Sequence, residues 1–243
     1  MKKKLIILIP AGTVLALIAA FLIYTGAYYR ADDIALAAVQ SEQSVSVSET
    51  EYGLYFNGPS EENVLVFYPG AKVEETAYAP LMHQLAARGM DVCLVKMPFR
   101  LAFFGMNKAD EVFALYHYKN RYVGGHSLGG AMASEYAAGH GEELTGVILL
   151  AAYPTEPLDG DLTLLSVYGS EDGVLNTQKV AEGRGYAPAR YTEQTITGGN
   201  HAQFGNYGVQ KGDGAALISA GAQQEQTADL IMQTVMQADA GSN

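Results

Sequence analysis

Near the middle of the chain stands Gly124-Gly125-His126-Ser127-Leu128-Gly129-Gly130, after the apolar pair Tyr122-Val123 and before the Ala-rich stretch 131–138. A Gly-x-Ser-x-Gly pattern at a strand-to-helix turn suits nucleophilic chemistry. A sharp turn, with the serine in a strained backbone region, lifts its hydroxyl clear of a sheet. Strand and helix then close around the serine, so side chains at positions 125 and 129 would collide. The N–H groups that open the following helix point to where negative charge develops during acyl transfer. The pentapeptide alone is weakly specific, and the competing reading is that Ser127 only caps a helix. Its place between a strand and a helix favours the nucleophile.

Such a serine needs a base, and the base needs an orienting acid. With the serine on a Gly-x-Ser-x-Gly turn between strand and helix, the expected order along the chain is Ser, then Asp or Glu, then His. The run 162–168 ends in Gly169-Ser170-Glu171-Asp172-Gly173-Val174, two carboxylates just past a buried strand end. Asp172 is the better placed, with Glu171 as the alternative, and a helix cap is the bland reading of either. The run 191–196 ends in Thr197-Gly198-Gly199-Asn200-His201, and His201 is the histidine after Ser127 that falls on a strand-end loop. His83 and His117 fall within helices and His140 at a helix end. His126 is expected to project away from the pocket in a structural role. The oxyanion needs two N–H donors. One is expected from Leu128, and the other from Pro69-Gly70-Ala71-Lys72, at Ala71 first and Gly70 as the fallback. Pro69 has no N–H to offer.

These loops need elements to hold them. Apolar runs at 64–68, 91–95, 122–123, 146–150, 162–168 and 191–196 read as strands. Helical spacing marks 77–88, 109–118, 128–138, 174–182 and 223–237, with a short amphipathic helix or spacer at 31–39 and a strand-like start at 41–48. This alternation predicts an α/β fold with a mainly parallel sheet and helices on both faces, and a site on loops at the carboxyl ends of the strands.

The chain has 243 residues, 49% hydrophobic and 17% charged, which suits one globular domain. Its formal net charge is −11, and three of its fifteen basic residues are Lys2, Lys3 and Lys4. A domain so acidic is a poor partner for nucleic acid. The single cysteine, Cys93, excludes an intrachain disulfide and a Cys-based zinc or iron–sulfur site, and it reads as a buried thiol. No His/Asp/Glu cluster has metal-ligand spacing, and no cofactor is implied. At the N-terminus the three lysines precede an apolar run at 5–24. That length predicts an uncleaved signal anchor, single-pass, with the rest of the chain outside the cytoplasm and attached to the membrane through this helix. Thr25-Gly26-Ala27 leaves open a cleaved signal peptide and a secreted protein. The expected division is an anchor at 1–29, a spacer and first strand at 30–50, and the folded domain at 51–243.

Over roughly 52–237 the chain resembles the α/β-hydrolase superfamily, in its compact bacterial branch. The resemblance rests on Gly-His-Ser-Leu-Gly-Gly at 125–130, Tyr-Gly-Ser-Glu-Asp-Gly-Val at 168–174 and Gly-Gly-Asn-His-Ala-Gln-Phe at 198–204. It implies the triad Ser127, Asp172 and His201, and a small-molecule acyl or ester substrate. Many members carry His-Gly after the first core strand, where this chain has Pro69-Gly70. Lids are often inserted where this chain has only the short link 151–161, so an uncapped site is expected. The apolar stretch 97–105 either lines an acyl pocket or joins the core. Three functions are compatible with these residues: an esterase or related acyl hydrolase, an acyltransferase on the same machinery, and a non-catalytic binding protein that keeps the fold.

Overall fold

The structure, a computed structural model, describes residues 11–42 and 44–241. Eight strands form one sheet in the order β1-β2-β4-β3-β5-β6-β7-β8. They are β1 (Ser46–Thr50), β2 (Gly53–Asn57), β3 (Asn63–Tyr68), β4 (Met90–Val95), β5 (Asn120–His126), β6 (Gly146–Leu150), β7 (Thr163–Gly169) and β8 (Arg190–Ile196). β1 and β2 form an antiparallel hairpin at one edge, β2 is antiparallel to β4, and all other pairs are parallel. The chain passes from β3 outward to β4, then back across β3 to β5. The strand order therefore reverses between β3 and β5, and a crevice opens at their carboxyl ends.

The helices are α1 (Ala11–Gly26), α2 (Asp33–Ala37), α3 (Ala79–Ala87), α4 (Lys108–Leu115), α5 (Leu128–Gly139), α6 (Thr177–Gly183) and α7 (Ala220–Gly241). All six residues of β3 and of β4 are buried, as strands covered on both faces must be. Leu65, Phe67 and Leu165 meet Leu81 and Leu85 of α3 and Ile231 and Val235 of α7 on one face. Val66, Val123 and Leu149 meet Val112 of α4 and Ala133 and Ala137 of α5 on the other. The link between β6 and β7 carries no helix, so no lid rises from it.

Several elements differ from the sequence reading, each for a local reason. β2, unassigned from sequence, forms because Gly53–Asn57 can pair on both sides, with β1 and with β4. α6 starts at Thr177 rather than 174, because the Val174 and Leu175 N–H groups donate to Asp172 Oδ1 and Asn176 then caps the helix through the Lys179 N–H. α4 stops at Leu115 rather than 118. Beyond it Tyr116 stacks on Tyr55, and the Tyr118 hydroxyl donates to Asp91.

The N-terminal expectation is corrected. Among the described residues no helix is long and apolar enough to cross a membrane. α1 has 16 residues, a rise of about 24 Å against a hydrocarbon core of about 30 Å. The first six residues of the expected span, 5–10, lie outside the described residues. The far end of α1 is spent on the protein: Thr25 is buried, and Phe21 packs on Phe99 and Phe104 with ring centroids 5.1 and 6.0 Å away. The single-pass placement, and with it the assignment of the folded part to the outside of the cytoplasm, is withdrawn.

Candidate active site

β5 pairs with β6 as far as His126, and the chain turns into α5 at once. Ser127 makes the turn alone, with φ 53° and ψ −121°. A non-glycine residue in that region is strained and is held there by its surroundings. The Ser127 N–H donates to the Leu150 carbonyl at 2.9 Å, and the Ser127 carbonyl accepts from Ala131 at 3.0 Å. Glycines at 125 and 129 are required by crowding. A Cβ at Gly125 would stand 2.5 Å from the Tyr68 carbonyl oxygen and 2.6 Å from the Gly129 carbonyl carbon, and one at Gly129 would fall against the Tyr68 and Pro69 carbonyl oxygens. The same crowding presses the end of β3, and hence the 69–72 loop, against the serine turn.

Asp172 and His201 come from neighbouring loops after β7 and β8. His201 Nδ1 lies 2.9 Å from Asp172 Oδ2, and both side chains are almost fully buried, 1% and 2% exposed. A carboxylate only accepts, so Nδ1 carries the proton and Nε2 has a free lone pair. Nε2 has no hydrogen-bond partner among the described residues. Asp172 Oδ1 is filled by the Val174 and Leu175 N–H groups at 2.8 and 2.7 Å, which leaves Oδ2 aimed at the histidine. Glu171 turns elsewhere: its carboxylate accepts from the Ser170 hydroxyl at 2.8 Å.

Ser127 and His201 line one cavity of about 250 Å³, together with Ala131, Ala152, Val174 and Leu175. A larger hollow of about 450 Å³ lies at the opposite end of α5, around His140 and Glu142, away from Ser127. The Leu128 N–H opens α5 and makes no hydrogen bond among the described residues, and neither does the Ala71 N–H. The Gly70 N–H donates to the Tyr78 hydroxyl at 3.0 Å and is therefore occupied. In the 97–105 stretch Met97, Leu101 and Ala102 are buried, whereas Phe99, Phe103 and Phe104 are about half exposed and Phe99 and Phe104 pack on Phe21. None of them lines the serine cavity. Among the described residues no group of His, Cys, Asp and Glu is placed to hold a metal ion.

Two further residues, one of them within the serine motif, support the site from either side. His126 is wholly buried, its ring centroid 4.5 Å from that of His201, and its Nδ1 is 2.8 Å from the Tyr78 hydroxyl. Burial, reinforced by the nearby His201, pushes its pKa well below the ordinary histidine value. Its neutral ring meets the Tyr78 hydroxyl at Nδ1, and that hydroxyl in turn accepts from the Gly70 N–H. On the other side, Gln223 of α7 grips Asn200, the residue before His201: its Oε1 accepts from the Asn200 N–H at 3.0 Å and its Nε2 donates to the Asn200 carbonyl at 2.8 Å. Buried glutamines on a helix facing a sheet are the one sequence trace of this clamp.

A mainly parallel sheet with helices on both faces, carrying a serine on its central strand-to-helix turn, defines the class of fold. The chain belongs to the alpha/beta hydrolase family, whose model matches residues 64–225. No curated protein matches it in sequence. Several solved structures share the fold at low identity. TT1662 from Thermus thermophilus is 13% identical with a TM-score of 0.56, over 79% of this chain and 98% of that one. Est1E from Butyrivibrio proteoclasticus is 12% identical at 0.53, over 80% and 100%. A membrane phospholipase A described as a bacterial virulence factor is 13% identical at 0.57, over 92% and 97%.

Proposed function

We propose that this hydrolase is a serine esterase acting on small, uncharged acyl esters. The observation that carries the reading is the strained Ser127 turn opening on the same cavity as a histidine already hydrogen-bonded to a buried aspartate. In this reading Ser127 Oγ attacks the ester carbonyl carbon while His201 Nε2 takes its proton. Asp172 holds the ring in the tautomer that leaves Nε2 free and stabilises the imidazolium. The carbonyl oxygen becomes an oxyanion facing the N–H groups of Leu128 and Ala71, which have no other partner among the described residues. The imidazolium then protonates the departing alkoxide. Water, deprotonated by the same histidine, releases the acid and restores Ser127.

The small aliphatic walls at Ala131, Ala151, Ala152, Val174 and Leu175 suit a short acyl group and offer no countercharge to an anionic one. The membrane phospholipase A among the fold relatives agrees with hydrolysis. The test is turnover of p-nitrophenyl acetate and butyrate beside a thioester and a p-nitroanilide. Wild type is expected to prefer the short esters, and Ser127→Ala to lose at least about a thousandfold in kcat. Equal turnover by Ser127→Ala contradicts the reading.

A further inference from the structure

The segment between Gly205 and Ser219 carries no motif, yet one of its side chains reaches both loops of the Asp172–His201 pair. The Asp213 carboxylate accepts four backbone N–H groups. Oδ1 takes those of Gly173 at 3.1 Å, His201 at 3.2 Å and Gly214 at 2.8 Å, and Oδ2 takes that of Ala202 at 2.8 Å. Gly173 follows Asp172 directly. A single carboxylate is therefore bonded to the residue after the acid, to the histidine itself and to the residue after the histidine. The fit between these segments is close. A Cβ on Gly173 would stand 2.6 Å from the Gly212 carbonyl oxygen, and one on Gly214 would fall against the Glu171 carbonyl oxygen. Asn200 Nδ2 donates to the Gly214 carbonyl at 2.8 Å, which pins the same segment to the residue before His201.

We infer that Asp213 is a positioning residue that sets the distance between Asp172 and His201 through the backbone of both loops. The inference rests on the proposed roles of Ser127, Asp172 and His201. An ionised carboxylate is an acceptor only, with two oxygens able to take several N–H donors, and its bonds to them are charge-assisted. A carboxamide of the same shape turns one oxygen into a donor, which then faces an N–H and repels it. Asp213 is not among the residues lining the serine cavity, so its loss acts on geometry and not on substrate binding.

The experiment compares wild type, Asp213→Asn and Ser127→Ala in the full chain with p-nitrophenyl butyrate. For Asp213→Asn a fall in kcat of about 10- to 100-fold is expected with KM changed by less than about twofold. A downfield proton signal from the His201 Nδ1–H is expected in wild type, and it is expected to weaken or move in Asp213→Asn. A folded Asp213→Asn with wild-type kcat and an unchanged downfield signal overturns the inference. Should the variant not fold, amide hydrogen exchange on the wild type decides. The Gly173, His201, Ala202 and Gly214 amides are expected to be protected together, and exchange at the rate of an open loop overturns the clamp. That arm reads the clamp whether or not Ser127 is the nucleophile, while full turnover by Ser127→Ala sinks the functional reading alone.

Discussion

Burial keeps the His126 ring neutral, and that has a consequence for stability. Its folded-state pKa lies well below the ordinary value of about 6.5. In the unfolded chain the same ring takes up a proton as pH falls through that value, while in the folded protein it does not. Stability is thus fully present above pH about 6.5 and declines below it, by about 1.4 kcal/mol per pH unit for one such group. Asparagine places an acceptor near the position of Nδ1, so His126→Asn can keep the bond from Tyr78 while removing the titration. Urea unfolding between pH 7 and 5 is expected to show a slope shallower by one proton in His126→Asn than in wild type. Equal slopes contradict the assignment of a neutral buried ring.

Gly129 and Gly139 both belong to α5, but only Gly129 is hemmed in by backbone; nothing lies within 4 Å of a Cβ at Gly139. Gly129→Ala should lower the melting temperature and abolish esterase turnover together, because the end of β3 must move. Gly139→Ala should leave turnover intact and stabilise by up to about 1 kcal/mol, the ordinary gain in helix propensity. A Gly129→Ala variant as stable and active as wild type would show that β3 and α5 are not in contact there. The serine turn was legible in the sequence because its chemistry needs several glycines in a fixed spacing. The buried strands were legible for a similar reason, as short continuous apolar runs. The rest left no such trace. β2 is five residues whose strand character comes from partners on both sides. The start of α6 is set by an aspartate taking two N–H groups. Gln223, Tyr78 and Asp213 act through a few hydrogen bonds to other parts of the chain, which no periodicity records. The N-terminal helix misled for the opposite reason: a basic start and an apolar run satisfy the pattern of an anchor, but the described helix is too short and packs Phe21 on Phe99 and Phe104.

At the scale of the whole molecule the parts converge on one crevice. The strand order reverses between β3 and β5, so the loop after β3 lies beside the turn after β5 that carries Ser127. The next two strands outward from β6, β7 and β8, deliver Asp172 and His201 from the same edge of the sheet. Apolar layers on both faces fix those strand ends relative to one another. The link after β6 carries no helix to cover the result, and the proposed site stays open. The proposed function requires that Ser127 be a nucleophile activated by His201. The most direct measurement is treatment with a fluorophosphonate followed by peptide mapping of the adduct by mass spectrometry. The account predicts a single adduct on the peptide containing Ser127, formed rapidly in wild type and at least about a hundredfold more slowly in His201→Ala. No adduct, an adduct on another residue, or labelling of Ser127 at the same rate without His201 would contradict it.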